Sequence, residues 1–572
     1  MKRARQHPLL VAVLVVGLLA GGYVPAAAQE ADGAHGFALA PEAAAGAGGA
    51  GRSEPGRKLD LATLAAQVSA DDDAAAVGAA RAVPRLSDLG PAALAALKRA
   101  VERGELAIAA DAGLDADDAG VEAAEVAPMT PIQFSEFAGI AYTGSIPPDP
   151  HIAVGPSDLI VAVNRTWRIY NKSGTQLFNS TLLSWFSNVL PSPNTGISVF
   201  DPWVLYDDLS DRFVLLALAK RDSDQLSRFL ISVSDNNVAQ GNWCNWSLDA
   251  KLNGSTNTSN WADYAKVGVN SNAIVISANM FSPFTGTATF QYAKLRFLSK
   301  SQIYNTSCPG VNWWDFWNLT HADGTKEFTV QPAHSYVNSN LMYFLSARSS
   351  SGSSLTRRLY TTSATIPPAP TFGGRTTITV NSYSIPPDAQ QPGTSTRIDT
   401  GDARLLNVAR QSNGRLWAAH TVACTWSGDP TTRSCVRWYE INPSTSAVVQ
   451  QRSYGAATFF YYYPAIMPRS TSDAMVVFNR SSTSTFAGIR YTGRKSTDPL
   501  NDLQNSSLLE PGQGCYVKLD SLGRNRWGDY NGIAIDPSVS GRWWIYSEYV
   551  SGTSATCSNN VWATRVGQVG LS

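Results

Sequence analysis

DPHIAVGPSDLIVAVN, residues 149–164, runs directly into a WRIYNKSG segment, and this stretch decides the fold. A polar residue opens an apolar strand, a Gly-Pro-Ser turn reverses the chain, a second apolar strand returns, and a third follows. The unit recurs as DPWVLYDDLSDRFVLLALA from Asp201, DYAKVGVNSNAIVISAN from Asp263, QPAHSYVNSNLMYFLSAR from Gln331, YPAIMPRSTSDAMVVFNR from Tyr463 and DYNGIAIDPSVSGRWWIYSE from Asp529. A weaker copy, DARLLNVARQSNGRLWAAH, starts at Asp402. Successive starts lie about 50–70 residues apart, room for four short strands with outer loops of varying length. A sandwich does not call for the same polar-start hairpin seven times, so the pattern predicts an all-β fold, a seven-bladed β-propeller. Six blades would follow if the Asp402 copy were absorbed elsewhere.

Upstream of the repeats the composition changes. Lys2, Arg3 and Arg5 precede an apolar run from Leu9 to Leu19, and Ala26, Ala27 and Ala28 offer a small-residue cleavage site, so residues 1–28 read as a signal peptide. The apolar run is shorter than the ~20 residues of a bilayer span. The expected product is therefore a secreted or extracellular protein with no membrane span after cleavage, the periplasm and cell surface being the other destinations. Residues 29–126 hold 17 Asp/Glu against 8 Lys/Arg and no Trp, and read as an acidic Ala/Gly-rich arm or propeptide, partly helical or disordered. Its one helix signal is SDLGPAALAALKRAVERGEL, following Leu86, with Ser87 or Asp88 as the expected cap. Runs such as AAAGAGGAG have too little apolar bulk to build a core. All 16 Trp and all six Cys fall in residues 127–572, the expected propeller. The chain's zero net charge hides an acidic arm and a body of about +6, too dilute for a nucleic-acid groove.

Six cysteines in an exported chain point to disulfides. Cys424 and Cys435 flank a short turn as a hairpin staple would, and Cys244 with Cys308 and Cys515 with Cys557 are the remaining sequence neighbours. Spacing alone leaves other pairings open. With no C-x-x-C and no nearby His, a zinc site is disfavoured.

PPDPHIAVGPSDLIVAVN, the DPWVLYDDLSDRF step, and the closing RWGDYNGIAIDP with IYSEY together resemble a large, mostly uncharacterised family of secreted bacterial proteins. Its members commonly begin with PPD and VGP and end on a W-G-D-Y blade. The match runs from Ile146 to Val566 and implies a propeller distantly related to sialidase-like folds. Two departures stand out: the S-x-D-x-G-x-T-W turns of sialidases are absent, and the usual sialidase propeller has six blades.

No H-E-x-x-H, G-x-S-x-G, Walker or dinucleotide-binding motif is present, which removes support for zinc hydrolase, α/β-hydrolase and kinase readings. The repeat supplies the positive signal. Strand starts and the ends of their partner strands should ring one mouth of the channel. That ring contains Asp149, Asp201, Asp263, Gln331, Tyr463 and Asp529, joined by Asn164, Arg165, Asn279, Arg348, His420, Arg480 and Glu548 from strand ends, with His151 and His334 a little deeper. Repeated Asp at strand entrances reads as a blade-to-blade clamp, as a ligand site, or as a seat for a structural calcium ion. Departures from the repeat point to function. Arg165, Arg348, Arg480 and His334, with Asp149, Asp201 and Asp263, are the candidate substrate-binding set, and Glu548, Tyr463, Asp529 and His420 the candidate catalytic set. The resulting expectation is a monomeric propeller that binds an extracellular acidic glycan or cell-surface component at the mouth. In its stronger form it also cleaves that glycan, as a glycoside hydrolase or polysaccharide lyase. The alternative is a non-catalytic adhesion or protein-binding propeller, stabilised by calcium or needing no cofactor.

Overall fold

The computed structural model describes residues 44–61, 81–82, 86–106, 112–114 and 129–572. They belong to one unit, Pro41–Ser572. The signal peptide expected over residues 1–28 lies outside the described residues. Short runs rich in β-branched and aromatic residues, broken by Gly, Asn and Ser turns, form antiparallel four-stranded blades. Blade 1 runs from His151–Val154 to Gln176–Thr181, blade 2 from Ser198–Asp207 to Asn242–Asp249, and blade 3 from Trp261–Val269 to Gly310–Trp317. Blade 4 runs from Gln331–Ser335 to Thr371–Ser384, blade 5 from Ala409–Ser412 to Ala447–Gly455, and blade 6 from Phe459–Pro468 to Ser507–Glu510.

Blade 7 settles the count and the closure. Its inner three strands, Gly532–Ile535, Trp543–Ser551 and Val561–Gly570, come from the C-terminus, and its outermost strand is Ile132–Ala138. Both ends of the propeller thus share one sheet, which locks the ring. The innermost strands neighbour one another in sequence order, and that of blade 7 returns to that of blade 1. The copy expected at Asp402 is corrected: its innermost strand begins seven residues later, at Ala409, so Asp402 lies outside the ring.

Two further expectations are revised. AAAGAGGAG, expected to have too little bulk for a core, is built onto blade 3: Ala45 packs with Phe316 and Tyr360, and Ala47–Pro55 adds an antiparallel fifth strand pairing with Gly310–Trp317. A Cβ at Gly51 would sit 2.4 Å from Trp313 and from the Gly254 carbonyl, so the low bulk is what lets this strand lie on a tryptophan-rich edge. NWWDFW, residues 312–317, which its sequence also allows as an aromatic loop between blades, lies within Gly310–Trp317, the fourth strand of blade 3. Arg57–Asp60 caps blade 2 in the same way, and Ala112–Leu114 pairs parallel to the edge of blade 5. Covering these edges protects them from pairing with other chains.

The arm helix, Pro91–Glu102, starts on Gly90 with Pro91 at its first turn rather than on Ser87 or Asp88. Leu94 and Val101 bury against Ile385 and Ala423. Lys98 bridges Asp388 and Asp399, the latter at 2.8 Å. The three disulfides pair Cys244–Cys308, Cys424–Cys435 and Cys515–Cys557. Among the described residues no helix is long and apolar enough to cross a membrane.

Candidate ligand site at the channel mouth

A recurrent local device brings the ring residues to the channel. Bulges break the register between Phe200 and Trp203, Asp263 and Lys266, and Tyr462 and Ala465. Backbone at these entrances turns left-handed, with φ of 53° at Asp149, 50° at Asp201, 55° at Tyr264 and 53° at Tyr463. Asp tolerates that region better than β-branched residues do, which accounts for Asp149 and Asp201 at their strand starts; in blades 3 and 6 a Tyr takes the left-handed position.

The side chains then bond the neighbouring blade. Asp149 Oδ1 accepts the Asp529 N–H at 2.8 Å, and its Oδ2 accepts from Asn164 Nδ2 at 2.8 Å. Asn164 Oδ1 accepts the Asp201 N–H at 2.9 Å, and Asp201 Oδ2 accepts the Tyr264 N–H at 3.1 Å. Asn279 Oδ1 takes the Thr329 N–H at 2.8 Å, and Thr421 Oγ1 takes the Tyr463 N–H at 3.0 Å. Asp149 and Asp201 are thus engaged as clamps that link blades 7, 1, 2 and 3.

Charge in the ring is balanced internally. Asp149, Asp201 and Asp263 are all pushed above the ordinary carboxylate range, first by burial and then by neighbouring ring carboxylates. Lys266 lies among them, packed on the faces of Tyr264 and Tyr530 at 3.8 and 3.9 Å. Burial lowers its pKa, while Asp201, Asp149, Asp529 and Asp263 oppose the shift. Arg526 adds a bond to Asp529 at 2.9 Å. Among the described residues no group of three or more His, Cys, Asp or Glu is arranged to hold a metal ion.

The structure does not assemble the expected catalytic set around an opening. His420 is fully buried, with Nδ1 on the Ala403 carbonyl at 2.6 Å and Nε2 on the Tyr439 hydroxyl at 2.9 Å; burial takes its pKa down to about 3. Both nitrogens are hydrogen-bonded within the protein, away from any opening. Tyr463 donates its hydroxyl to the Asp399 carbonyl at 2.7 Å. Glu548 is buried with neither carboxyl oxygen hydrogen-bonded to a side chain, and burial pushes its pKa well above the usual carboxylate range. Gln331 donates to the Leu405 carbonyl.

Nor do the arginines converge on one anion. Arg348 bonds Asp323 at 2.5 Å on the surface, and Arg480 stacks on Phe459 at 4.2 Å. His334 points into the channel at its opposite end. Arg165 and Asp263, by contrast, share a cleft.

That cleft, about 770 Å³, lies between the arm and blades 1 to 3, with the 521–524 turn on its rim. Leu86, Leu89 and Leu94 form the arm wall, and Phe200, Trp261, Phe284 and Phe290 the blade wall. Lys220 lies over the Trp261 ring at 4.5 Å and bonds Asp222 and the Phe284 carbonyl. Arg165, Arg221 and Arg524 add cations to a lining that also holds Asp88, Asp222 and Asp263, with Arg221 paired to Asp224 at 2.8 Å and Arg524 to Asp520 at 2.7 Å. Burial raises Asp88, whose carboxylate accepts from Ser349 at 2.6 Å. Sequence reasoning missed Lys220, Trp261 and the arm wall. The one available signal was Trp261, two residues before the Asp263 entrance.

No family model matches this chain, and no curated protein matches it. Among solved structures, a Trypanosoma rangeli sialidase in complex with sialic acid is similar at 12% identity and a TM-score of 0.32, covering 73% of this chain and 59% of that one. A Penicillium chrysogenum α-L-arabinanase complexed with arabinobiose gives 7% identity and a TM-score of 0.31, covering 77% and 98%. The WD40 domain of SCAP from fission yeast gives 10% and 0.29, covering 73% and 83%. Likeness this distant carries no argument about function, and the propeller stands on its own strand topology.

Proposed function

We propose that this protein is an exported binding propeller that takes an extracellular glycan bearing acidic groups into the cleft between its arm and blades, and does not cleave it. The observation that carries the reading is the cleft: large enough for several sugar rings, walled by aromatic and aliphatic side chains, and edged by Lys220, Arg165, Arg221 and Arg524. Sugar C–H faces pack on apolar walls, while carboxylate or sulfate groups fork onto guanidinium and ammonium donors. Binding is favoured over catalysis because Asp149 and Asp201 serve as clamps and both His420 nitrogens are hydrogen-bonded inside the protein. The export signal and three disulfides support an oxidising, extracellular setting.

The test is binding of the purified chain to arrayed neutral and acidic polysaccharides, with and without chelator, followed by product sizing on whatever binds. Acidic polysaccharides should bind without shortening, unaffected by chelator, and Lys220→Gln with Arg524→Gln should weaken binding at least tenfold. Binding to none of the glycans would sink the reading in favour of a protein partner, and shortened products would restore catalysis.

A further inference from the structure

The far end of the channel, away from the ring, holds a second polar site that the repeat does not explain. His334 and Arg410 sit side by side on the innermost strands of blades 4 and 5, which pair in parallel with His334 opposite Arg410. His151, on the innermost strand of blade 1, lines the same small cavity, together with Val154, Tyr336 and Met467. The space measures about 10 Å³, the size of one water-sized sphere.

Three features of this cavity belong together. Arg410 is only 2% exposed, and among the described residues its guanidinium has no carboxylate partner. It donates Nη1–H to His334 Nδ1 at 3.2 Å, and its Nε has no acceptor. Because His334 Nδ1 accepts, its proton sits on Nε2, which also lacks a partner. His334 is held in that orientation by stacking on Tyr336 at 4.4 Å. His151, its ring 3.7 Å from that of Trp203 at a tilt of 33°, has both ring nitrogens buried without a close hydrogen bond, the Val204 backbone being the polar group beside it. In the tautomer whose N–H faces the cavity, His151 presents one more donor.

A buried cation with no counter-charge and an array of unmet donors is costly unless something supplies negative charge and acceptors. A single water takes two of these donors, must place two hydrogens of its own, and leaves the charge uncompensated. A small monovalent anion accepts from Arg410 Nε and His334 Nε2 and neutralises Arg410. The carboxylate on the cavity wall is Asp208, half-buried, whose pKa is raised to about 7 by its own burial and then by the charges of Asp207 and Asp211. It makes no ion pair with Arg410.

We infer that the channel binds one small monovalent inorganic anion of the halide class between Arg410, His334 and His151, as a built-in part of the propeller axis. The site is independent of the glycan cleft at the other mouth.

Bromide is the probe. Crystals of the full chain grown with bromide should show one anomalous peak inside this cavity. In solution, the melting temperature in bromide should exceed that in gluconate at equal ionic strength by a few degrees and saturate with concentration. Arg410→Met should abolish both signals. Because that change removes a buried charge and can itself alter folding, His151→Phe provides the second reading: the charge stays, one donor goes, and the bromide midpoint should rise at least tenfold. Asp208→Asn should keep the peak and need less bromide. No peak in the cavity, identical melting in both salts, or a bromide response that survives Arg410→Met would overturn the inference.

Discussion

Replacing Lys98 with Met tests whether the arm is a built part of the molecule. The Lys98 ammonium is buried between Asp388 and Asp399, whose side chains are 32% and 2% exposed. Removing one partner of a buried ion pair costs about 3–5 kcal/mol, and water reaching Asp388 places this case at the lower end, about 3 kcal/mol. Met is as good a helix former as Lys, so helix propensity is not disturbed. At about 1.4 kcal/mol per decade, hydrogen-exchange protection of the arm helix, Pro91–Glu102, should fall roughly a hundredfold. The pH dependence sharpens the test. Burial, with Asp399 alongside, already raises Asp388, and Lys98 opposes that rise. Without Lys98 the folded-state pKa climbs further. The folded form then binds more protons than the unfolded form from about pH 4 up to that raised value, so stability falls as pH rises through this window. The deficit of Lys98→Met should therefore be larger at pH 8 than at pH 5, and Asp388→Asn in the same chain should recover part of it. Protection within threefold of the parent, or an equal loss at both pH values, would refute this account.

Two further outcomes follow from the same geometry. Glu548→Gln removes a carboxyl whose pKa burial raises: the folded pKa exceeds the unfolded one, so the parent loses stability with rising pH and the variant does not. Its melting temperature should match the parent at pH 4 and exceed it at pH 8, with glycan binding intact; a uniform loss would mean that the carboxylate is used. Among the disulfides, the chain-entropy view gives about 4 kcal/mol for Cys244–Cys308, separated by 64 residues, and about 3 for Cys424–Cys435, separated by 11. Urea unfolding of the paired Ser variants should rank them in that order, and the reverse order would count against it.

How much was legible in the sequence depends on whether a residue's role is local. Blade boundaries were legible because each strand carries its own apolar pattern and turn. The clamp role of Asp149 and Asp201 was also within reach, since repetition at one position is the mark of architecture. What sequence could not supply was adjacency between distant segments. The Gly-rich run at residues 43–51 has no apolar signal of its own, and only the Trp313 and Trp314 edge it covers explains its glycines. Lys220 and Trp261 meet in the cleft although 41 residues separate them, and the arm wall opposite lies further still. The mouth was expected to be open. Instead Arg404, bonded to Asp402 and to the Leu86 carbonyl, ties the arm to the loops over it.

The departures from the repeat sort into two kinds once their surroundings are known. Arg348 and Arg480 depart at strand ends that face solvent or an aromatic ring, where a single cation is readily accommodated. Lys266, His151, His334 and Arg410 depart on innermost strands, where every neighbour is another blade and water is scarce. A charge in that position must be answered by its surroundings. Four carboxylates answer Lys266, and the clamp ring is thereby also its counter-charge. Nothing among the described residues answers Arg410 in that way. Two buried cations on one axis, one compensated by the chain and one not, are the asymmetry expected of a channel in which one end serves assembly and the other holds a ligand.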